Sequence, residues 1–153
     1  MFGCSRIMDA VHPWLLVHAA ATWAMVGFIW TIQVLVYPTM GRVPVSAFAA
    51  YEQFHQRRVV AVLAPFAVTE AIAAAALAFV DTGVPTQLWL TGGALLAALW
   101  ISTGAFYAPL HGRLAAGFEP ALHARLVRAN WARTIAWSVR GVLAAAMLVA
   151  ATG

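Results

Sequence analysis

Four long apolar stretches alternate with short polar segments along the chain: Trp14–Val36, Val59–Val80, Leu88–Leu110 and Thr134–Thr152. Each has about the 20 residues that an α-helix needs to cross a ~30 Å hydrocarbon layer. The pattern predicts an all-α fold, an integral membrane four-helix bundle. Local signals set the expected boundaries. Pro13 suits a first helical turn, where a missing N–H costs nothing. The first helix is expected to end at Tyr37-Pro38, because the residue before a proline is pushed out of α geometry. Gly41 and Pro44 mark a turn, and Ser46 is placed to cap the next helix. From Ser46 an amphipathic helix is expected through Phe48, Tyr51, Glu52 and His55, continuing into the second span, with a kink at Pro65. Asp81 to Pro85 reads as a short turn between the second and third spans. Gly92 and Gly93 suggest close helix approach in the third span. Gly117 to Pro120 breaks the next connection, and a second short amphipathic helix, about Ala121–Ala132, feeds the fourth span.

Composition agrees with a bilayer as solvent. Of the 153 residues 63% are hydrophobic and 9% charged, against ~25% charged in a soluble domain. Four spans and their connections use the length, so residues 1–153 read as a single transmembrane domain. The sequence pI of about 10.2 does not point to nucleic acid. The net charge is only +4, and the arginines sit beside the spans, where they orient the protein and attract anionic lipid. Arg42, Arg57 and Arg58 lie in the first connection, and Arg113, Arg125, Arg128 and Arg133 in or beside the third, against Arg6 alone on the other side. That asymmetry puts the two long connections, with their amphipathic helices, in the cytoplasm and both termini outside, in a bacterial-type inner membrane. The first span is too long for a signal-peptide core and reads as retained. The lone Cys4 supports neither an internal disulfide nor a CxxC motif.

Polar residues inside spans are expensive and usually face a bundle interior. At 100° per residue, His18, Thr22, Ile29 and Gln33 share one face of the first helix. Trp100, Thr103, Tyr107 and His111 share one face of the third, and Asn130, Arg133, Trp137 and Arg140 one face of the fourth. At 1.5 Å per residue, Arg140 lies about 9 Å and Glu70 about 16 Å below the cytoplasmic edge, within reach for an ion pair. Gln33, Tyr37, His55, Arg58, Tyr107, His111, Asn130 and Arg133 gather toward the cytoplasmic half. Such a pocket suits a flat, partly anionic small molecule such as a quinone or polyphenol, with arginines on its oxygens and aromatic rings on its faces. Trp14 and Trp89 read as interfacial belt residues.

Several chemistries can be weighed on residue spacing. Glu52-x-x-His55 has the i, i+3 spacing of di-iron carboxylate bundles, but only Glu70 and Glu119 remain to complete such a site. A mononuclear metal site from Glu52, His55 and His111 is a second arrangement. Haem needs an axial ligand, and His18 is the candidate. A histidine early in the first span, followed by Trp and Gly, resembles porphyrin-handling and copper-resistance membrane families. No GxSxG, P-loop or GxGxxG occurs.

Pro109-Leu-His111-Gly-Arg113-Leu, then Asn130-Trp131-Ala-Arg133-Thr134 and Arg140, resembles the C-terminal half of small four-helix membrane proteins related to anthrone oxygenases. Trp30, Gln33 and Tyr37-Pro38, then His55 and Arg58, are similar to the first half. The resemblance implies cofactor-independent oxygenation of a flat aromatic or quinol substrate. His55, His111 and Arg133 would be catalytic. Gln33, Tyr37, Arg58, Glu70, Tyr107, Asn130, Trp131, Trp137 and Arg140 would bind substrate. The alternatives are an accessory membrane subunit whose polar stripes dock partner helices, and a haem- or porphyrin-binding protein; homo-oligomerisation stays open.

Overall fold

The computed structural model describes residues 11–152; Cys4 and Arg6 lie outside the described residues. Four helices, α1 (Pro13–Met40), α2 (Val45–Ala76), α3 (Thr86–Leu114) and α4 (Pro120–Ala150), are each long and apolar enough to cross a membrane. No strand occurs among the described residues. Pro13 takes the first turn of α1, as its sequence position suggests, and the His12 ring caps the Trp14 N–H at 3.3 Å.

The expected end of α1 at Tyr37-Pro38 is not where the helix stops. Tyr37 keeps helical dihedrals, φ −63° and ψ −42°, and the helix runs on to Met40. The reason is a single π-helical turn, Ile32–Val36, in which the Tyr37 N–H bonds the Ile32 carbonyl five residues back. The wider turn absorbs the proline that follows without breaking the helix. The same device recurs in α3. There Thr103–Tyr107 is π-helical, the Ala108 N–H bonds the Thr103 carbonyl, and Pro109 comes next. In both helices the residue just before proline makes the longer bond, a parallel between the two halves that side-chain identity alone conceals.

The two amphipathic stretches are not separate helices. Phe48 to His55 form the first turns of α2, and residues 121–132 those of α4. Ser46 is not the cap of α2, whose helix already begins at Val45 behind Pro44. Helix α2 continues through Pro65. A helix of 32 residues is about 48 Å long at 1.5 Å per residue, well beyond a ~30 Å hydrocarbon core. The opposite connection is tight, with Gly83 at φ 69° and its N–H bonded to Asp81 Oδ1 at 3.2 Å. That left-handed backbone is one that glycine adopts without strain.

Helix α1 packs along both α2 and α4, and α3 packs on α4. Helices α2 and α3 meet mainly where the last turns of α3 reach α2, which leaves a seam between them. Close approach in the bundle comes at Gly141, where an added Cβ would lie 3.1 Å from Val26 and 3.3 Å from Trp23. Gly92 and Gly93 do not play the expected packing role. Gly92 faces the Arg140 guanidinium, and Gly93 looks into open space. The larger apolar core, around Ile29, Phe48, Leu99, Leu114 and Leu126, fills the arginine-bearing end. A smaller one of Val11, Leu15, Leu77 and Met147 closes the other.

Candidate functional site

Two polar layers cross the apolar interior. The first lies at mid-depth and joins all four helices. Arg140, only 2% exposed, donates from Nη2 to Glu70 Oε1 at 2.6 Å and from Nε to the same oxygen at 3.0 Å. Its Nη1 donates to the Gly92 carbonyl, and Nη2 also reaches His18 Nε2 at 3.2 Å. Thr22 donates to Glu70 Oε1 at 2.7 Å. The ion pair expected from helix depth is therefore present, with both partners buried. An arginine can only donate, so His18 Nε2 accepts and the ring proton sits on Nδ1. An axial bond from His18 Nε2 to haem iron would require Arg140 to withdraw.

The second layer lies nearer the arginine-bearing end and surrounds a cavity of about 180 Å³. Its walls are apolar, from Phe28, Ile29 and Ile32 of α1 and Val59 and Leu63 of α2; its polar lining is Tyr37, His55, Gln56, Thr103, Tyr107, His111 and Arg133. Both π-helical turns end beside it. One delivers Tyr37 and the other Tyr107, in keeping with the frequency of such turns at functional sites. Glu52 Oε1 lies 2.6 Å from His111 Nδ1, and His111 Nε2 lies 2.9 Å from the Tyr37 hydroxyl. A carboxylate accepts, so His111 donates from Nδ1 and its Nε2 accepts from the tyrosine O–H. Gln56 fixes the arrangement by donating to Glu52 Oε1 at 3.1 Å and to the His111 backbone carbonyl at 2.9 Å.

Arg133 lines the same cavity, close to Tyr37. Its guanidinium stacks over the Tyr107 ring at 4.5 Å, and Nη1 donates to Asn130 Oδ1 at 3.3 Å. Its buried Nε has no hydrogen-bond partner among the described residues. Tyr107 is anchored in turn by a 2.8 Å bond to the Ala129 carbonyl.

The structure gathers five of the sequence candidates, Tyr37, His55, Tyr107, His111 and Arg133, around this cavity. Gln33 and Asn130 sit behind it, bonded to each other at 2.8 Å, so they hold Arg133 rather than face a ligand. Glu70, Arg140 and Trp137 belong to the deeper layer, where the guanidinium lies 5.9 Å from the Trp137 ring. Trp131 is exposed and packs edge-to-face on Trp30 at 5.7 Å. Arg58 is exposed over Phe54. Both lie away from the cavity.

Comparison with protein-family models, with curated proteins and with solved structures returns no match.

Sequence reasoning missed the part Glu52 plays. It considered Glu52 only as a metal ligand, with His55 alone or with His55 and His111, whereas in the structure Glu52 hydrogen-bonds His111 directly and orients its ring. No three of the described His, Cys, Asp and Glu residues gather as a metal-binding group, and both ring nitrogens of His111 are engaged in hydrogen bonds. The usable signal was Glu52 and Gln56 at i, i+4, which face the same way on a helix. A glutamate so placed at the start of a span needs a partner from elsewhere in the bundle.

Proposed function

We propose that the protein is a cofactor-independent oxygenase that takes a flat hydroxyaromatic or quinol substrate into the cavity lined by Tyr37, His111 and Arg133. The observation that carries the reading is the Glu52–His111–Tyr37 chain, a carboxylate, an imidazole and a hydroxyl in hydrogen-bond contact on one wall of an otherwise apolar cavity. Carboxylate orients imidazole and imidazole accepts the hydroxyl proton, the division of labour of a general-base relay.

A substrate phenol donates to the Tyr37 oxygen while the Tyr37 proton moves to His111 Nε2. The imidazolium that forms is held by Glu52, and the Arg133 guanidinium, which lines the cavity, donates to the substrate phenolate oxygen, supplying the charge stabilisation that the apolar walls cannot. The phenolate, which anthrone offers through its enol tautomer, passes an electron to O₂, and a C–O bond forms at the ring CH position opposite the phenolate oxygen, which becomes a carbonyl. His111 returns the proton through Tyr37 to give a hydroperoxide. Loss of water leaves a second carbonyl, so C–OH, C–H and O₂ become two C=O groups and H₂O. Phe28 and Tyr107 flank the ring.

In this reading the arginine-bearing connections and the first turns of α2 and α4 lie on the cytoplasmic side of an inner membrane, with both termini outside. The seven-to-one arginine distribution supports that orientation.

Oxygen uptake with anthrone as substrate, measured on protein purified in mild detergent, tests the reading. Substrate-dependent uptake that disappears in His111→Ala and in Arg133→Ala, each still folded, supports it. Full activity in both variants, or no uptake by the wild type with any hydroxyaromatic of this size, overturns it.

A further inference from the structure

The cavity beside the Glu52–His111–Tyr37 chain opens sideways. Of the residues that line it, only Val60 of α2 and Ala108 of α3 are exposed, Val60 by 57%. They stand on the two helices that the seam separates. Toward the arginine-bearing end the seam is shut. Gln56 donates to the His111 carbonyl at 2.9 Å and Gln53 to the Ala115 carbonyl at 3.4 Å, and Phe48, Glu52 and Leu114 are fully buried there. Val60 lies about 3 Å inside Arg58, and Ala108 about 8 Å inside Arg113, at 1.5 Å per residue. The mouth therefore faces lipid chains. A second space, of about 300 Å³, lies farther along the same seam, bounded by Ala74, Ala75, Gly92 and Gly93.

Polarity is graded along the first cavity, and three helices agree on its direction. Tyr37 stands nearer the arginine-bearing end than Phe28 on α1, His55 nearer than Leu63 on α2, and His111 nearer than Thr103 on α3. Each pair is about 12 Å apart along its helix. Thr103 adds no free polarity at the deep end, because its hydroxyl donates to the Leu99 carbonyl at 2.7 Å. The gradient runs as it does in the surrounding leaflet, polar at the interface and apolar toward mid-membrane. About 150 Å³ of apolar cavity takes one benzene ring, so a space of about 180 Å³ encloses one ring and leaves any longer part of a ligand to the mouth.

We propose that the substrate is a membrane-dissolved phenol with one ring and an apolar tail, entering from the bilayer between Val60 and Ala108. Its hydroxyl lies at Tyr37, and its tail runs past Phe28 and Leu63 and out among the lipid chains. What then happens to the ring rests on the oxygenase reading; the binding does not. The polar end selects against phospholipid. The Tyr37 O–H is spent on His111 Nε2, so the tyrosine oxygen is left to accept. A phenol has a proton to donate, and a phosphodiester or an ester has none.

The test is photolabelling of the full chain in nanodiscs with a meta-alkylphenol that carries a diazirine midway along its tail, the adducts being mapped by mass spectrometry. Adducts should gather at Phe28, Leu63 and Thr103. Meta-pentadecylphenol should suppress them at least about fivefold better than pentadecylbenzene at the same membrane fraction, the worth of one hydrogen bond. Val60→Trp and Ala108→Trp, which fill the mouth from either helix at exposed positions, should each remove most of the labelling. Adducts spread evenly over lipid-facing residues, equal competition by the two compounds, or undiminished labelling in both tryptophan variants overturns the inference. Labelling needs no turnover. The expected adducts without phenol-dependent oxygen uptake would retire the oxygenase reading and support the binding site, whereas anthrone-dependent uptake without those adducts would do the reverse.

Discussion

Arg140→Met is the sharpest perturbation of the fold, because it removes a charge and leaves its partner behind. The variant deletes four hydrogen bonds, two to Glu70 Oε1, one to the Gly92 carbonyl and one to His18 Nε2. Hydrogen bonds between transmembrane helices average only about 0.6 kcal/mol, since the unfolded chain in the bilayer also finds partners. The two to the uncharged acceptors, the Gly92 carbonyl and His18, account for roughly 1 kcal/mol on that scale. The larger cost is Glu70, fully buried, with only Thr22 left to donate to it. An uncompensated charge at this depth costs about 3 kcal/mol, and breaking a buried pair from one side costs about 3–5 kcal/mol. The expected loss is therefore about 3–5 kcal/mol. The double variant Glu70→Leu/Arg140→Met removes both charges and should recover most of it. Unfolding by SDS in mixed micelles, followed by far-UV circular dichroism, reads both numbers. A single-variant loss below about 1 kcal/mol, or a double variant no more stable than the single, would refute the view that charge burial dominates over hydrogen-bond count.

Other expectations separate the site from its scaffold. Tyr37→Phe keeps the ring and removes the hydroxyl at the end of the relay, so oxygen uptake should fall about 100-fold or more while the circular dichroism spectrum is unchanged. Glu52→Gln should slow uptake comparably, with turnover affected more than KM, because the residue orients His111 rather than touching substrate. Gly141→Ala should destabilise by about 1–3 kcal/mol in SDS unfolding, since the new methyl meets Val26 and Trp23 at 3.1–3.3 Å. Gly93→Ala, which faces open space, should not. In a Cys4→Ser background, Thr82→Cys should react with an impermeant maleimide added to whole spheroplasts, and Gly117→Cys only after lysis.

The four spans were legible because twenty apolar residues in a row have few other uses. The Glu70–Arg140 pair was legible because helix rise converts sequence position into depth. The helix boundaries were less so. Tyr37-Pro38 looks like a terminus under the ordinary rule for residues before proline, and only a π-helical turn, which has no simple residue signature, lets the helix continue. Gly92 and Gly93 misled for a related reason. Glycines in a span signal a missing side chain, and what fills the space, a neighbouring helix, an arginine or a cavity, depends on packing four helices at once. Of the site, Tyr107, His111 and Arg133 were found through helical phase, and Tyr37 and His55 through their position toward the arginine-bearing end of the spans. Trp131 shares a stretch of sequence with Asn130 and Arg133 but points about 100° away from the first and about 160° from the second, so motif proximity overstated it. Glu52 was missed because the contact that defines it spans 59 residues.

The seam between α2 and α3 explains why a chain this short can hold two cavities. A fully closed four-helix bundle would fill its interior with interdigitated side chains. Here α1 lies at the centre of the packing, against α2 and α4, while α3 is carried by α4. The α2–α3 pair is then free of the need to pack, and its facing residues are small at one end and polar at the other. The ion-paired layer is what makes such an opening tolerable. Arg140 reaches from α4 to Glu70 on α2 and to the Gly92 carbonyl on α3, so it ties together across the seam the two helices that side-chain packing does not. That placement carries a consequence for Glu70→Leu/Arg140→Met. The double variant should regain stability yet lose the tie, so the spacing of α2 and α3, read from spin labels at the exposed positions of Ala71→Cys and Thr91→Cys in a Cys4→Ser background, should widen even as resistance to SDS recovers. Recovered stability with unchanged spacing would mean that the seam is held by other contacts and that the ion pair serves stability alone.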